Sequence, residues 1–166
     1  MKFKKLKING AFLIELEEFK DERGTFARQF CKNEFKEIGI DFDIKQCNIS
    51  KNYKTGILRG LHYQKEPYPE SKIVSCINGS CFDVIVDLRK NSPTYLKWES
   101  TELSGTNNKM IFIPPNCAHG FQTLEDNTVI YYQLGELFMK DFYNGVRWND
   151  PKLGITWPEC PNRIIN

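Results

Sequence analysis

Apolar residues recur at every second position in several stretches of this chain. Phe12, Ile14 and Leu16 set that period across residues 11–19, and Asp21-Glu22-Arg23-Gly24 then reads as a turn. Further short strand-like runs follow at 43–50, 56–63, 72–77, 81–88, 95–102, 109–113, 118–124 and 128–135. Polar breaks separate them, among them Asn78-Gly79-Ser80, Asn91-Ser92-Pro93 and Glu125-Asp126-Asn127. A helical period occurs once: Cys31, Phe35 and Ile38 stand at i, i+4 and i+7, which predicts a helix over 30–38 ended by Gly39. Many short strands joined by polar turns predict an all-β sandwich or barrel. The stretch 148–166 has three prolines and little periodicity. It is predicted to wrap the outside, with one helical turn near 150–153.

Length and charge narrow the picture. At 166 residues the chain fits a single domain, 1–166, large enough to bury a core without staples. Lys+Arg is 23 and Asp+Glu is 21, a balance that argues against nucleic acid or a membrane surface as partner. No apolar run approaches the length of a membrane span. The basic start, Met1 to Lys7, leads into Glu15, Glu17 and Glu18 rather than an apolar signal segment, so the expected location is the cytoplasm. None of the six cysteines forms a C-x-x-C pair; buried or half-buried reduced thiols are expected.

Only two histidines are available, His62 and His119. His62 lies in the strand Leu58-Arg59-Gly60-Leu61-His62-Tyr63-Gln64. Strict alternation puts Gly60, His62 and Gln64 on one face and Arg59, Leu61 and Tyr63 on the other. A strand histidine is either a hydrogen-bonded core residue or a chemical group. His119 stands beside Gly120, where a backbone or ligand can approach closely. In the run 82–89, Asp83, Asp87 and Arg89 share one face, which is either solvated or, in a small barrel, lines a pocket. Tyr131 and Tyr132 point to opposite faces. Barrel metalloproteins of the cupin type present His-x-His on one strand. Here that slot reads His62-Tyr63-Gln64, so no metal is expected. Phosphate-binding Gly-rich loops and the Gly-x-Ser-x-Gly elbow are missing from the sequence as well.

Seven motifs in order carry a family resemblance: Asp21-Glu22-Arg23-Gly24-x-Phe26, Gln46-x-Asn48-x-Ser50, Leu58 to Gln64, Ser71-Lys72, Phe82 to Arg89, Ala118-His119-Gly120-Phe121, and the stretch from Trp148 to Pro158. Together they closely resemble the dTDP-4-dehydrorhamnose 3,5-epimerase family. The resemblance implies a cupin-type jelly-roll barrel (a double-stranded β-helix) with one or two short helices. It implies a homodimer without cofactor or metal, and a nucleoside-diphosphate 4-keto-6-deoxy sugar as substrate. On this resemblance the general base falls on His62, the general acid on Tyr132, and the lysine near the carbonyl oxygen on Lys72. Arg59 and His119 match diphosphate positions, and Gln46 and Asn48 match nucleotide-sugar contacts. Arg23 matches a residue that reaches the ligand across the dimer interface, and Phe26 belongs to the same substrate-binding motif.

The implied chemistry suits these residue types. A C4 carbonyl acidifies the protons on C3 and C5, and histidine is a base near neutral pKa. A cation stabilises the enolate oxygen, and a donor across the ring returns the proton to the opposite face. Four departures from the family pattern matter. Arg28 stands where the family often has an acid, which opens guanosine or cytidine diphosphate sugars beside thymidine. Phe138 replaces a tyrosine that stacks on the base, and Tyr143 replaces an acidic contact. Family members usually continue beyond this chain's last residue into an aspartate that orients the base, for which Asp83 is the candidate substitute. The alternatives are an epimerase inverting only C3 or only C5, and a non-catalytic sugar-binding cupin.

Overall fold

The central strands of this chain, Lys72–Asn78, Ser80–Asp87, Lys109–Ile113 and Cys117–Thr123, are buried on both faces, so apolar side chains pack in three layers around and between the sheets. The computed structural model describes residues 1–165. Its strands are β1 (Lys2–Lys5), β2 (Phe12–Glu15), β3 (Glu18–Asp21), β4 (Gly24–Ala27), β5 (Gln46–Asn52), β6 (Ile57–Gln64), β7 (Lys72–Asn78), β8 (Ser80–Asp87), β9 (Trp98–Ser104), β10 (Lys109–Ile113), β11 (Cys117–Thr123), β12 (Thr128–Leu134), β13 (Tyr143–Gly145) and β14 (Ile164–Ile165), with one α-helix, α1 (Lys32–Glu37). The first sheet runs β1-β2-β10-β7-β12-β5 and the second β13-β6-β11-β8-β9, with β14 added parallel to β6. The β3–β4 hairpin forms a small sheet of its own.

The two large sheets face each other across a core of Val74, Cys76, Ile111, Ile113 and Ile130 from the first and Cys81, Ile85, Cys117 and Phe121 from the second. The outer face of the first sheet carries Ile14, Ile73, Met110 and Phe112 and is covered by Phe35 of α1 and by Phe42. The outer face of the second carries Leu58, Leu61, Val84, Val86 and Ala118 and is covered by Leu153 and Trp157. The 148–165 stretch therefore does wrap the barrel, as a lid on an apolar sheet face. Burying one such side chain contributes roughly 2 kcal/mol.

The all-β expectation holds. The helix is shorter than predicted, ending where Gly39 takes φ +82°. The run 11–19 is not one strand: it breaks between β2 and β3, which join different sheets. Residues 150–153 form a hydrogen-bonded turn, Leu153 N to Asp150 O at 3.0 Å, and the second short helix is instead a 3-10 turn at Lys140–Phe142. Asp83 and Asp87 are 0% exposed, because both faces of β8 are covered; the solvated alternative for that face is excluded. Cys47 is exposed, against the expectation of buried or half-buried thiols. No helix among the described residues is long and apolar enough to cross a membrane.

Candidate active site

Between the two large sheets the packing leaves a cavity of about 460 Å³. The second sheet contributes Arg59 and His62 from β6 and His119 from β11. The first contributes Asn48 and Ser50 from β5, Lys72 from β7 and Tyr132 from β12. His62 and His119 are direct cross-strand partners. Tyr132 is opposite Asn48 on one side and Val74 on the other, and Lys72 is opposite Leu134, two residues along the same face.

The strict alternation predicted for β6 fails at its centre. His119 pairs with His62, but Phe121 pairs with Arg59, so β6 spends one extra residue over that interval. This β-bulge turns Arg59 and His62 to the same cavity, while Leu58 and Leu61 go together to the outer core. Gly60 and Gly120 make it possible: a Cβ on Gly60 would lie 2.5 Å from Gly120 Cα. Gly60 also takes φ +129°, a conformation side chains disfavour. Arg59 is anchored from behind, its Nε donating to Asn52 Oδ1 at 2.9 Å. Buried Asn52 in turn donates to the carbonyls of Ser50 and Thr128 at 3.1 Å.

His62 is half-buried under Tyr143, with ring centroids 5.2 Å apart, and Phe138 packs on Tyr143 at 5.3 Å. Burial pushes its pKa down; Lys72, His119 and Arg59 push the same way and Glu70 opposes them. A neutral imidazole, able to accept a proton, is the result. Tyr132 lies 6.1 Å from the His119 ring. Burial, with Asp83 and Cys81 nearby, drives its pKa well above 10, so it keeps its proton. The Tyr143 hydroxyl is pushed up to about 12 by burial and by Glu70.

Asp83 does not orient His62. Its Oδ2 accepts a hydrogen bond from His119 Nε2 at 2.7 Å, because the register sets Asp83 opposite Phe121, two residues along β11 from His119. Among the described residues no carboxylate hydrogen-bonds His62. Asp83 Oδ1 is buried with no hydrogen-bond partner among the described residues.

Other predicted residues lie outside the cavity. Gln46 Oε1 accepts from the Phe138 backbone N–H at 3.1 Å and Gln46 Nε2 donates to Asn48 at 3.1 Å, so Gln46 supports the rim. Arg23 and Phe26 line a separate depression on the β3–β4 hairpin. Arg28 is exposed and paired with Glu34 at 2.9 Å. Glu70, which no motif marks, lines the cavity and is ion-paired to Lys72 at 2.7 Å. Its signal was the two-residue spacing to Lys72; its position just before β7 concealed it. Asn52 is not marked by any motif either, because its role depends on three separate strands. Among the described residues no three His, Cys, Asp or Glu side chains gather as a metal site.

The family model described as dTDP-4-dehydrorhamnose 3,5-epimerase matches residues 5–166. A dTDP-4-dehydrorhamnose 3,5-epimerase of Methanothermobacter thermautotrophicus is 43% identical over 157 residues, 95% of this chain and 84% of that protein. The crystal structure of the enzyme of that name from Bacillus anthracis, with TDP and PPi bound, superposes at TM-score 0.95 and 36% identity, covering 99% of this chain and 94% of that one. A Legionella pneumophila dTDP-6-deoxy-D-glucose-3,5-epimerase in complex with dTDP-4-keto-L-rhamnose superposes at TM-score 0.94 and 33% identity, over 99% of this chain and 87% of that one.

Proposed function

Since this chain belongs to the dTDP-4-dehydrorhamnose 3,5-epimerase family, an isomerase class with a cupin-type fold, we propose that it inverts both C3 and C5 of a dTDP-linked 4-keto-6-deoxy sugar. One observation carries the mechanism: His62 and Tyr132 stand on opposing sheets across one cavity. A ring held between them meets a base on one face and a donor on the other. His62 takes the proton from carbon, and the C–H electron pair moves into the C4 carbonyl as an enolate. Lys72 Nζ offers positive charge to that oxygen from the sheet that carries Tyr132. Tyr132 then delivers a proton to carbon from the opposite face, and the carbonyl re-forms with inverted configuration. His62 returns its proton to solvent and Tyr132 is reprotonated. Every step is proton transfer, so the chemistry calls for neither a metal nor a redox cofactor.

Arg59, steadied by Asn52, and His119, steadied by Asp83, present cationic and donor groups for the diphosphate. Phe138, 51% exposed at the rim, offers a face for the base. Thymidine is favoured over guanosine because the relatives are named for dTDP sugars, and Arg28, the residue that opened the guanine alternative, lies outside the cavity beside Glu34. The subunit is a single domain and works as a homodimer.

The test is proton NMR in D2O with 4-keto-6-deoxy sugars on dTDP, GDP and CDP. Both the C3 and C5 proton signals should disappear with the dTDP sugar. Loss of one signal alone would make it a single-centre epimerase. Binding without exchange for all three would make it a sugar-binding protein.

A further inference from the structure

Glu70 is out of place in a cavity built for an anionic ligand. It is 6% exposed, as is Lys72, and its Oε1 lies 2.7 Å from Lys72 Nζ. A buried carboxylate weakens the binding of a diphosphate and is itself costly to desolvate. It stands at the wall that carries Lys72 and lines the same cavity as His62 and Tyr143. We propose that Glu70 is a positioning residue: its carboxylate fixes Lys72 Nζ where the enolate oxygen develops, and balances the positive charge that faces His62.

The first half is geometric. A lysine side chain loses rotamer entropy on being fixed. The ion pair settles that before substrate arrives, so Nζ is in place when charge appears on the carbonyl oxygen. The second half follows from the groups around His62. Lys72 from β7, His119 from β11 and Arg59 from β6 itself all oppose a proton there; Tyr143 of β13 covers the ring; Glu70 alone among these neighbours favours the proton. A base whose proton affinity falls too far abstracts a carbon-bound proton poorly. Glu70 therefore keeps His62 basic enough to work inside a cationic pocket.

The inference rests on the epimerase reading, and the experiment separates the two. Glu70→Gln keeps the shape and removes the charge. Its kcat should fall about 10- to 100-fold with KM within about threefold, the size expected for a displaced catalytic cation. The acid limb of kcat/KM should move to lower pH. The NMR titration of the His62 Cε1–H, assigned with His62→Asn, should move the same way and needs no substrate. Glu70→Asp restores the charge but draws Lys72 back by one methylene. It should recover the His62 midpoint while kcat stays reduced. A folded Glu70→Gln protein with wild-type kcat and an unmoved His62 midpoint would overturn the proposal. If that variant does not fold, wild-type kcat in Glu70→Asp overturns it instead. Wild-type protein that exchanges no substrate protons defeats the epimerase reading, while the His62 titration still decides the charge balance.

Discussion

His62 and Tyr132 are prepared for opposite tasks by the same physical cause. Burial disfavours charge on both, so the histidine loses its proton and the tyrosine keeps it. The sign of the pH dependence follows. Activity needs neutral His62, whose pKa lies below the ordinary value of about 6.5. The kcat/KM profile should therefore be flat through neutral pH and fall only on the acid side of that value. Tyr132 adds no alkaline limb below about pH 10. An acid limb centred above the ordinary histidine value would contradict this account of the base. His62→Ala should cut exchange of the C3 and C5 protons by about 10²- to 10⁴-fold, the usual worth of a general base. Tyr132→Phe should keep exchange at the base's face while inversion drops by a similar factor. Exchange at the wild-type rate in His62→Ala would remove His62 from its role, and undiminished inversion in Tyr132→Phe would remove Tyr132.

The element that decides the site is β6, and its bulge shows what a sequence can and cannot convey. Tyr131 and Tyr132 sit on a regular part of β12, and simple alternation sends only Tyr132 to the cavity. Arg59 and His62 lie three apart, and alternation assigns them to opposite faces. The register shift that unites them depends on Gly60 meeting Gly120 on another strand, a contact no local pattern encodes. Asp83 is the same kind of case: its acid character was legible, its partner was set by pairing with β11. The lysine-rich edge strand β1 went unread because an exposed edge needs no apolar alternation. What was legible, the strand-rich pattern and the family motifs, is local. Gly60→Ala tests the bulge. The new Cβ would meet the Gly120 backbone at 2.5 Å and the His119 carbonyl at 2.9 Å. Together with the unfavourable φ this should cost roughly 2–4 kcal/mol in chemical denaturation, and kcat/KM should drop as Arg59 and His62 separate. A variant as stable and active as wild type would show that the bulge is not required.

At the scale of the molecule, the isolated subunit leaves apolar surface unmatched. Phe19 and Phe26 are each 72% exposed on the β3–β4 hairpin, which pairs with no other strand among the described residues. Ile49 is 59% exposed on the outer face of β5, the end of the first sheet that α1 does not cover. Arg23 projects from the same hairpin, paired with Asp21 at 2.6 Å, with its side chain 85% exposed. A second copy covering the β5 end of the sheet would bury these groups and deliver Arg23 to its partner's cavity, as the proposed homodimer requires. Light scattering at micromolar concentration should give twice the mass of one chain. Ile49→Glu should shift it toward one chain's mass by placing a charge in the apolar contact. Arg23→Ala should leave the dimer intact and raise KM by roughly tenfold or more with little change in kcat, because a charge-assisted hydrogen bond to bound substrate is lost. A fully active monomer would defeat the shared site, and an Arg23→Ala enzyme with unchanged KM would defeat the role of the hairpin within it.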